Sequence, residues 1–153
     1  MMKAITWLAS LTVGVASLTS SAFATTLEGW SADLEKALAQ AKKEKKMLLV
    51  EFTGSDWCPP CIAMRKNVFS KPEFVKKASE KYVLVELDFP KGDKELAEKN
   101  QPLAEKYNIE GFPTVILMHP DGKEFERFFA NKYPEAEAFL KHLDEALEKK
   151  DLD

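Results

Sequence analysis

The stretch Met47-Leu48-Leu49-Val50-Glu51-Phe52-Thr53-Gly54-Ser55-Asp56-Trp57-Cys58-Pro59-Pro60-Cys61 decides the fold. It opens as a short, almost unbroken apolar run, the pattern of a central strand covered on both faces. Thr53-Gly54-Ser55-Asp56 then turns the chain, and Cys58-Pro59-Pro60-Cys61 leads into a helix carrying Ile62, Met64, Arg65, Val68 and Phe69. Proline is tolerated in a first helical turn, because the missing N–H would have no intrahelical acceptor there. Cys58 is therefore expected at the helix cap and Cys61 one turn inside.

On the N-terminal side, Ser31 is expected to cap a helix in which Leu34, Ala37, Leu38 and Ala41 recur at helical spacing. The run Lys42-Lys43-Glu44-Lys45-Lys46 reads as its solvated exit, where cations also suit the dipole. On the C-terminal side, residues 72 to about 80 read as a second short helix and 82–88 as a strand rich in β-formers. A polar loop through Pro90 and Gly92 precedes helical pieces around 94–100 and 102–107. Gly111-Phe112-Pro113-Thr114 introduces a strand over 115–118, and Asp121-Gly122 is a hairpin signal joining it to 123–128. A last helix, from about 134 to 149, carries Ala138, Phe139, Leu143, Ala146 and Leu147 on one side. The order α-β-α-α-β-α-β-β-α mixes a crossover unit with a terminal hairpin. It predicts an α/β sandwich with one central mixed sheet flanked by helices.

The chain has 153 residues, 45% of them hydrophobic, a length and composition suited to one soluble domain with an ordinary core. Twenty-two basic residues stand against 25 acidic ones, for a net charge of −3. That balance lacks the basic excess of a sequence-independent nucleic-acid binder, so no nucleic-acid partner is expected. The first 24 residues are read apart from the fold. Lys3, the apolar stretch from Ala4 to Ala16 and the ending Ala22-Phe23-Ala24 form the pattern of a secretory signal peptide, cut after Ala24. The other reading is an uncleaved membrane anchor, but a spanning helix needs about 20 predominantly apolar residues and this run is shorter. The expectation is a cleaved segment over 1–24, a single domain over 25–153, and a periplasmic or secreted location.

Cys58 and Cys61 are the only cysteines. Outside the cytoplasm disulfides form and persist, which brings redox chemistry to the front. Two residues between thiols place both sulfurs within one helical turn, close enough to bond. At a helix start, unpaired N–H groups and the dipole favour an anion, so the Cys58 thiol should ionise more readily than a free one. Cys61, further in and against the sheet, should be shielded. Cys58 then attacks a substrate disulfide, and Cys61 resolves the mixed disulfide. Zinc is the competing reading of such a pair. It needs four ligands, and the rest would have to come from His119, His142 or distant carboxylates, so no metal is expected. Both histidines read as structural or surface residues.

Val50-Glu51-Phe52, Trp57-Cys58-Pro59-Pro60-Cys61 and Gly111-Phe112-Pro113-Thr114, at their separations, resemble the thioredoxin superfamily. Gly54-Ser55-Asp56-Trp57 and Val68-Phe69-Ser70-Lys71-Pro72-Glu73-Phe74 are similar to small exported thioredoxin-like proteins and to the C-terminal thiol domain of inner-membrane disulfide reductases. The resemblance implies a thioredoxin-like sandwich and a thiol–disulfide oxidoreductase. It implies a cis bond before Pro113, which would set the Phe112 backbone beside Cys58 to pair with an extended substrate strand. An ordinary trans proline starting a strand is the alternative. Trp57 matches the tryptophan that flanks the nucleophile, either as a contact platform or as packing.

Glu51 departs from the family, which has an aspartate that moves the proton of the second cysteine. A carboxyl inside an apolar run should hold its proton more tightly than usual and suit a general base for Cys61. A strand-end Glu facing water is the other reading. The family's lysine near that acid aligns with Glu86, so the usual cation is missing, and Arg65-Lys66-Asn67 continues the helix where the family often has a proline.

The expected activity is a reductase or electron relay without a bound cofactor, acting on protein thiols or disulfides. A separate thiol donor or acceptor is implied, such as a membrane disulfide reductase, and the chain is expected to be monomeric. Disulfide oxidase or isomerase activity, and a binding module whose cysteines are only a clip, stay open.

Overall fold

Leu48, Val50 and Phe52 are buried on one side of the strand Met47–Thr53 (β1), while Leu49 enters a separate core on the other. That period of two, in a strand buried on both faces, is why its sequence reads as an unbroken apolar run. The computed structural model describes residues 26–151. The segment read as a signal peptide, 1–24, lies outside the described residues.

Three further strands complete one mixed sheet: Tyr82–Asp88 (β2), Thr114–Met118 (β3) and Glu124–Phe129 (β4), in the order β2-β1-β3-β4. β1 runs parallel to β2 and antiparallel to β3, and β3 is antiparallel to β4. The hairpin between the last two turns at Gly122, whose φ of 85° lies in the left-handed region that glycine enters without steric cost.

Helices cover both faces. Leu34–Glu44 (α1) and Lys94–Lys106 (α4) pack with Leu48, Val50, Phe52, Val83, Val85 and Leu87. The opposite face takes Pro59–Met64 (α2), a π-helical turn over Arg65–Phe69, Pro72–Ala78 (α3) and Ala136–Lys150 (α5). Its centre is an aromatic cluster in which Phe69 lies 5.2 Å from Phe139, 5.6 Å from Phe74 and 5.2 Å from Trp30, all edge-on. Each buried phenylalanine contributes about 1.5–3 kcal/mol, and an edge-to-face pair adds about 0.5–1.5 kcal/mol. This cluster anchors the helix that carries the cysteines.

The mixed sheet flanked by helices, and the order of elements, are as the sequence predicts. Two local expectations are corrected. Asp33, not Ser31, caps α1, its carboxylate accepting the N–H of Lys36 at 3.1 Å. Ser31 instead lies along the edge of β2, donating to Leu84 O and accepting from Glu86 N. The helical pieces around 94–100 and 102–107 are one helix, α4, with Pro102 inside it. Proline there removes one backbone donor, and the helix is held on either side of it. The Asn100 amide donates to Asp88 O at 2.8 Å, and Leu103 and Ala104 pack against the core. No helix among the described residues is long and apolar enough to cross a membrane.

Candidate active site

Cys58 is the N-cap of α2, with Pro59 and Pro60 in its first turn, and it is joined to Cys61 by a disulfide with the Cα atoms 5.2 Å apart. Cys61 is fully covered while Cys58 keeps 4% of its surface, so the shallower sulfur is the one expected to attack. The N–H of Gly54 points at Cys61 Sγ from 3.5 Å.

The turn before the cysteines is stitched to the loop after β2. Ser55 donates through its N–H and hydroxyl to the Asp88 carboxylate, and the Asp56 carboxylate accepts the N–H groups of Lys91 and Gly92. Those bonds hold the Asp56 carboxyl below the usual range, the Lys91 N–H being the main cause. The Trp57 indole N–H donates to Phe89 O at 2.8 Å, its ring meets Phe112 edge-on at 5.8 Å, and Lys91 Nζ lies 5.0 Å from its centroid. Trp57 is thus both packed and, at 38% exposed, a surface beside Cys58.

The Phe112–Pro113 bond is cis. Pro113 O accepts the N–H of Ala130 at 2.9 Å, and Thr114 Oγ1 donates to Gly111 O, which fixes this loop at the same end of the sheet as the cysteines. Phe112 is half-buried and Pro113 buried.

Glu51 is 1% exposed, which overturns the reading of a strand-end carboxylate facing water. It shares a side of β1 with Leu49, and hence lies under α2 and the π turn. Its register partners are Glu86 on β2 and Val115 on β3. Burial holds the Glu51 carboxyl well above the usual carboxylate range. The charge of Glu86 adds to this, Arg65 opposes it, and Asp88 adds further. Glu51 Oε1 has no hydrogen-bond partner among the described residues.

Three features escaped the sequence reading. The cation missing from the Glu86 position is supplied from the helix, where Arg65 Nη1 lies 2.8 Å from Glu86 Oε2. The helix continues past the cysteines, but as a wider turn, Ser70 N donating to Arg65 O five residues back. Ile62 and Phe129, 45% and 54% exposed, join Trp57 as large apolar side chains open to solvent. Ile62 follows Cys61 directly, and Phe129 lies opposite Thr114 beside Pro113.

The histidines stand elsewhere. His119 closes the β3–β4 hairpin at the far end of β3 from Thr114, and His142 is buried on α5, stacked on Tyr133 and facing Glu126. Among the described residues no three His, Cys, Asp or Glu side chains gather as a metal site would require.

A family model for a thioredoxin-like domain matches residues 34–147. The chain belongs to the thioredoxin-like family. Among its relatives is a disulfide bond reductase, DsbH of Chlamydia pneumoniae, 36% identical over 95 residues, which are 60% of this chain and 57% of that protein. The thiol:disulfide interchange protein DsbD of Cronobacter sakazakii is 33% identical over 111 residues, 72% of this chain and 18% of that protein. The chain spans between 18% and 57% of the length of three curated relatives it matches. A solved structure of a DsbH oxidoreductase superposes with a TM-score of 0.69 at 30% identity, covering 89% of this thioredoxin-like chain and 95% of that one.

Proposed function

We propose that this chain is a periplasmic thiol–disulfide oxidoreductase that works in the reducing direction. The observation that carries the reading is the Cys58–Cys61 pair closed at the start of α2 on the face of the sheet where Glu51 is buried. In the reduced protein, Cys58 thiolate, favoured by the helix start, attacks one sulfur of a partner disulfide and releases the other as a thiol. Glu51 takes the proton from Cys61. The Cys61 thiolate then attacks Cys58 Sγ, the bond between Cys58 and the partner breaks, and the partner leaves with its electron pair and gains a proton. Two electrons have passed to the partner, and the Cys58–Cys61 disulfide remains for a separate dithiol donor to reduce.

Trp57, Phe112 and cis-Pro113 form the proposed substrate contact, with Phe112 backbone groups meeting an extended partner segment. Ile62 and Phe129 extend this apolar rim. The reducing direction is supported by the relative named a disulfide bond reductase, and thiol–disulfide exchange by the one named a thiol:disulfide interchange protein. Export is supported by the Lys3-to-Ala24 sequence pattern.

The test is reduction of a protein disulfide, such as that of insulin, by the pre-reduced protein. Cys58→Ser should abolish it. Cys61→Ser should stop at a mixed disulfide on Cys58 that dithiothreitol releases. Full activity in Cys58→Ser would refute the proposal.

A further inference from the structure

Three carboxyl groups, those of Glu51, Glu86 and Asp88, are buried on one face of the adjacent strands β1 and β2. Glu51 and Glu86 stand opposite one another in register, and Asp88 follows two residues on, opposite Thr53. Asp88 is occupied by Ser55, and Glu86 accepts from Arg65 and from the N–H of Leu27. From the helix above come Cys61 and Arg65. The Arg65 N–H donates to Cys61 O, so the two are one turn apart and share a face. From β3 the register neighbour of Glu51 is the apolar Val115. Arg65 is therefore the cation that this group of carboxyls meets from the helix bearing the resolving thiol.

We propose that Arg65 is a positioning residue of the resolving step: its guanidinium, at the floor of the site beside Glu86, balances the charge that Glu51 carries before Cys61 gives up its proton. This rests on the reading of Glu51 as the proton acceptor. In that step the Cys61 S–H bond breaks and its proton goes to a Glu51 oxygen. The Cys61 electron pair then forms the bond to Cys58 Sγ, and the bond from Cys58 to the partner sulfur breaks onto the partner. Glu51 must be ionised at the outset. Burial and two neighbouring carboxyls work against that; the charge of Arg65 opposes them, and the Thr53 hydroxyl does so to a lesser degree. Glu86 has two effects of one sign on the balance. Its own charge disfavours an ionised Glu51, and its ion pair draws Arg65 to itself.

The two partners should then act in opposite directions, which a merely structural ion pair would not produce. The experiment follows the pre-reduced full chain reacting with an aromatic disulfide reagent that releases one coloured thiolate when Cys58 attacks and another when Cys61 resolves. The rate of the second release is recorded against pH. Arg65→Met should move the acid limb up by about one unit, a slowing of about tenfold at a pH below the limb, and Arg65→Lys should restore most of it. Glu86→Gln should move the limb down. An unmoved limb in Arg65→Met, or shifts of the same sign in Arg65→Met and Glu86→Gln, overturns the proposal. Where Arg65→Met does not fold, the downward shift in Glu86→Gln with a preserved limb in Arg65→Lys decides it, and absence of that shift overturns it. Glu51→Gln separates the two levels. If it erases the limb while the Arg65 variants leave theirs in place, only the role of Arg65 fails; if it leaves the limb unchanged, the Glu51 reading fails and the Arg65 proposal with it.

Discussion

Trp57 donates its indole N–H to the carbonyl of Phe89 at 2.8 Å, tying the turn before the cysteines to the end of β2. A Cβ added at Gly54 would come within 2.5 Å of the same indole, so the turn closes over the ring with no room to spare. Gly54→Ala should therefore displace Trp57, lowering stability by about 1–3 kcal/mol in urea unfolding and shifting tryptophan fluorescence. Trp57→Phe, which keeps an aromatic ring but loses the donor and part of the indole, should cost at least about 1 kcal/mol.

Ile62 and Phe129 are expected to serve partner contact rather than the fold. Ile62→Ser and Phe129→Ser should each leave unfolding free energy within about 0.5 kcal/mol of the parent, as surface changes do. Turnover of a protein disulfide should fall several-fold in kcat/KM while that of a small aromatic disulfide is unchanged. Equal losses on both substrates would argue against a docking rim.

The edge-on cluster under the active-site helix predicts a different outcome for Phe69, which is fully buried against Trp30, Phe74 and Phe139. Phe69→Ala should cost about 3–5 kcal/mol, measured by chemical denaturation of the oxidised protein.

Glu51 makes stability depend on pH with a definite sign. Its proton is held more tightly in the folded chain than in the unfolded one. The folded state therefore binds more protons across the window from the ordinary glutamate value of about 4.3 up to the raised folded value. Stability should be greatest below that window and fall as pH rises through it. Burial also raises the Glu86 carboxyl, which adds a fall of the same sign. In the oxidised protein, Glu51→Gln should therefore shrink the fall and be more stable than the parent at its alkaline end. Unfolding midpoints against pH for the two proteins check this, and parallel curves would contradict it.

How far the sequence could be read follows from the range of the forces involved. β1 and β2 were legible because strands buried on both faces leave dense apolar runs, and Cys58 at the cap because proline tolerates a first helical turn. The hairpin was legible because Asp121-Gly122 suits one kind of turn. Ser31 and Asp33 both carry capping oxygens, and the choice between them was made by the edge of β2, which captured the Ser31 backbone. Pro102 reads as a break, yet the contacts of Asn100, Leu103 and Ala104 keep α4 whole. The Arg65–Glu86 pair is 21 residues apart in the chain, and only the strand register and the helix placement bring it together. The apolar run did foretell a buried Glu51. Its company of two more acids needed β2 laid alongside.

The most direct test of the central claim is the reduction potential of the Cys58–Cys61 couple, measured in a defined thiol buffer. A disulfide reductase should give a value near that of thioredoxin, about −270 mV, where the dithiol gives up electrons readily. A value near about −120 mV, that of a strong oxidant, would contradict the account.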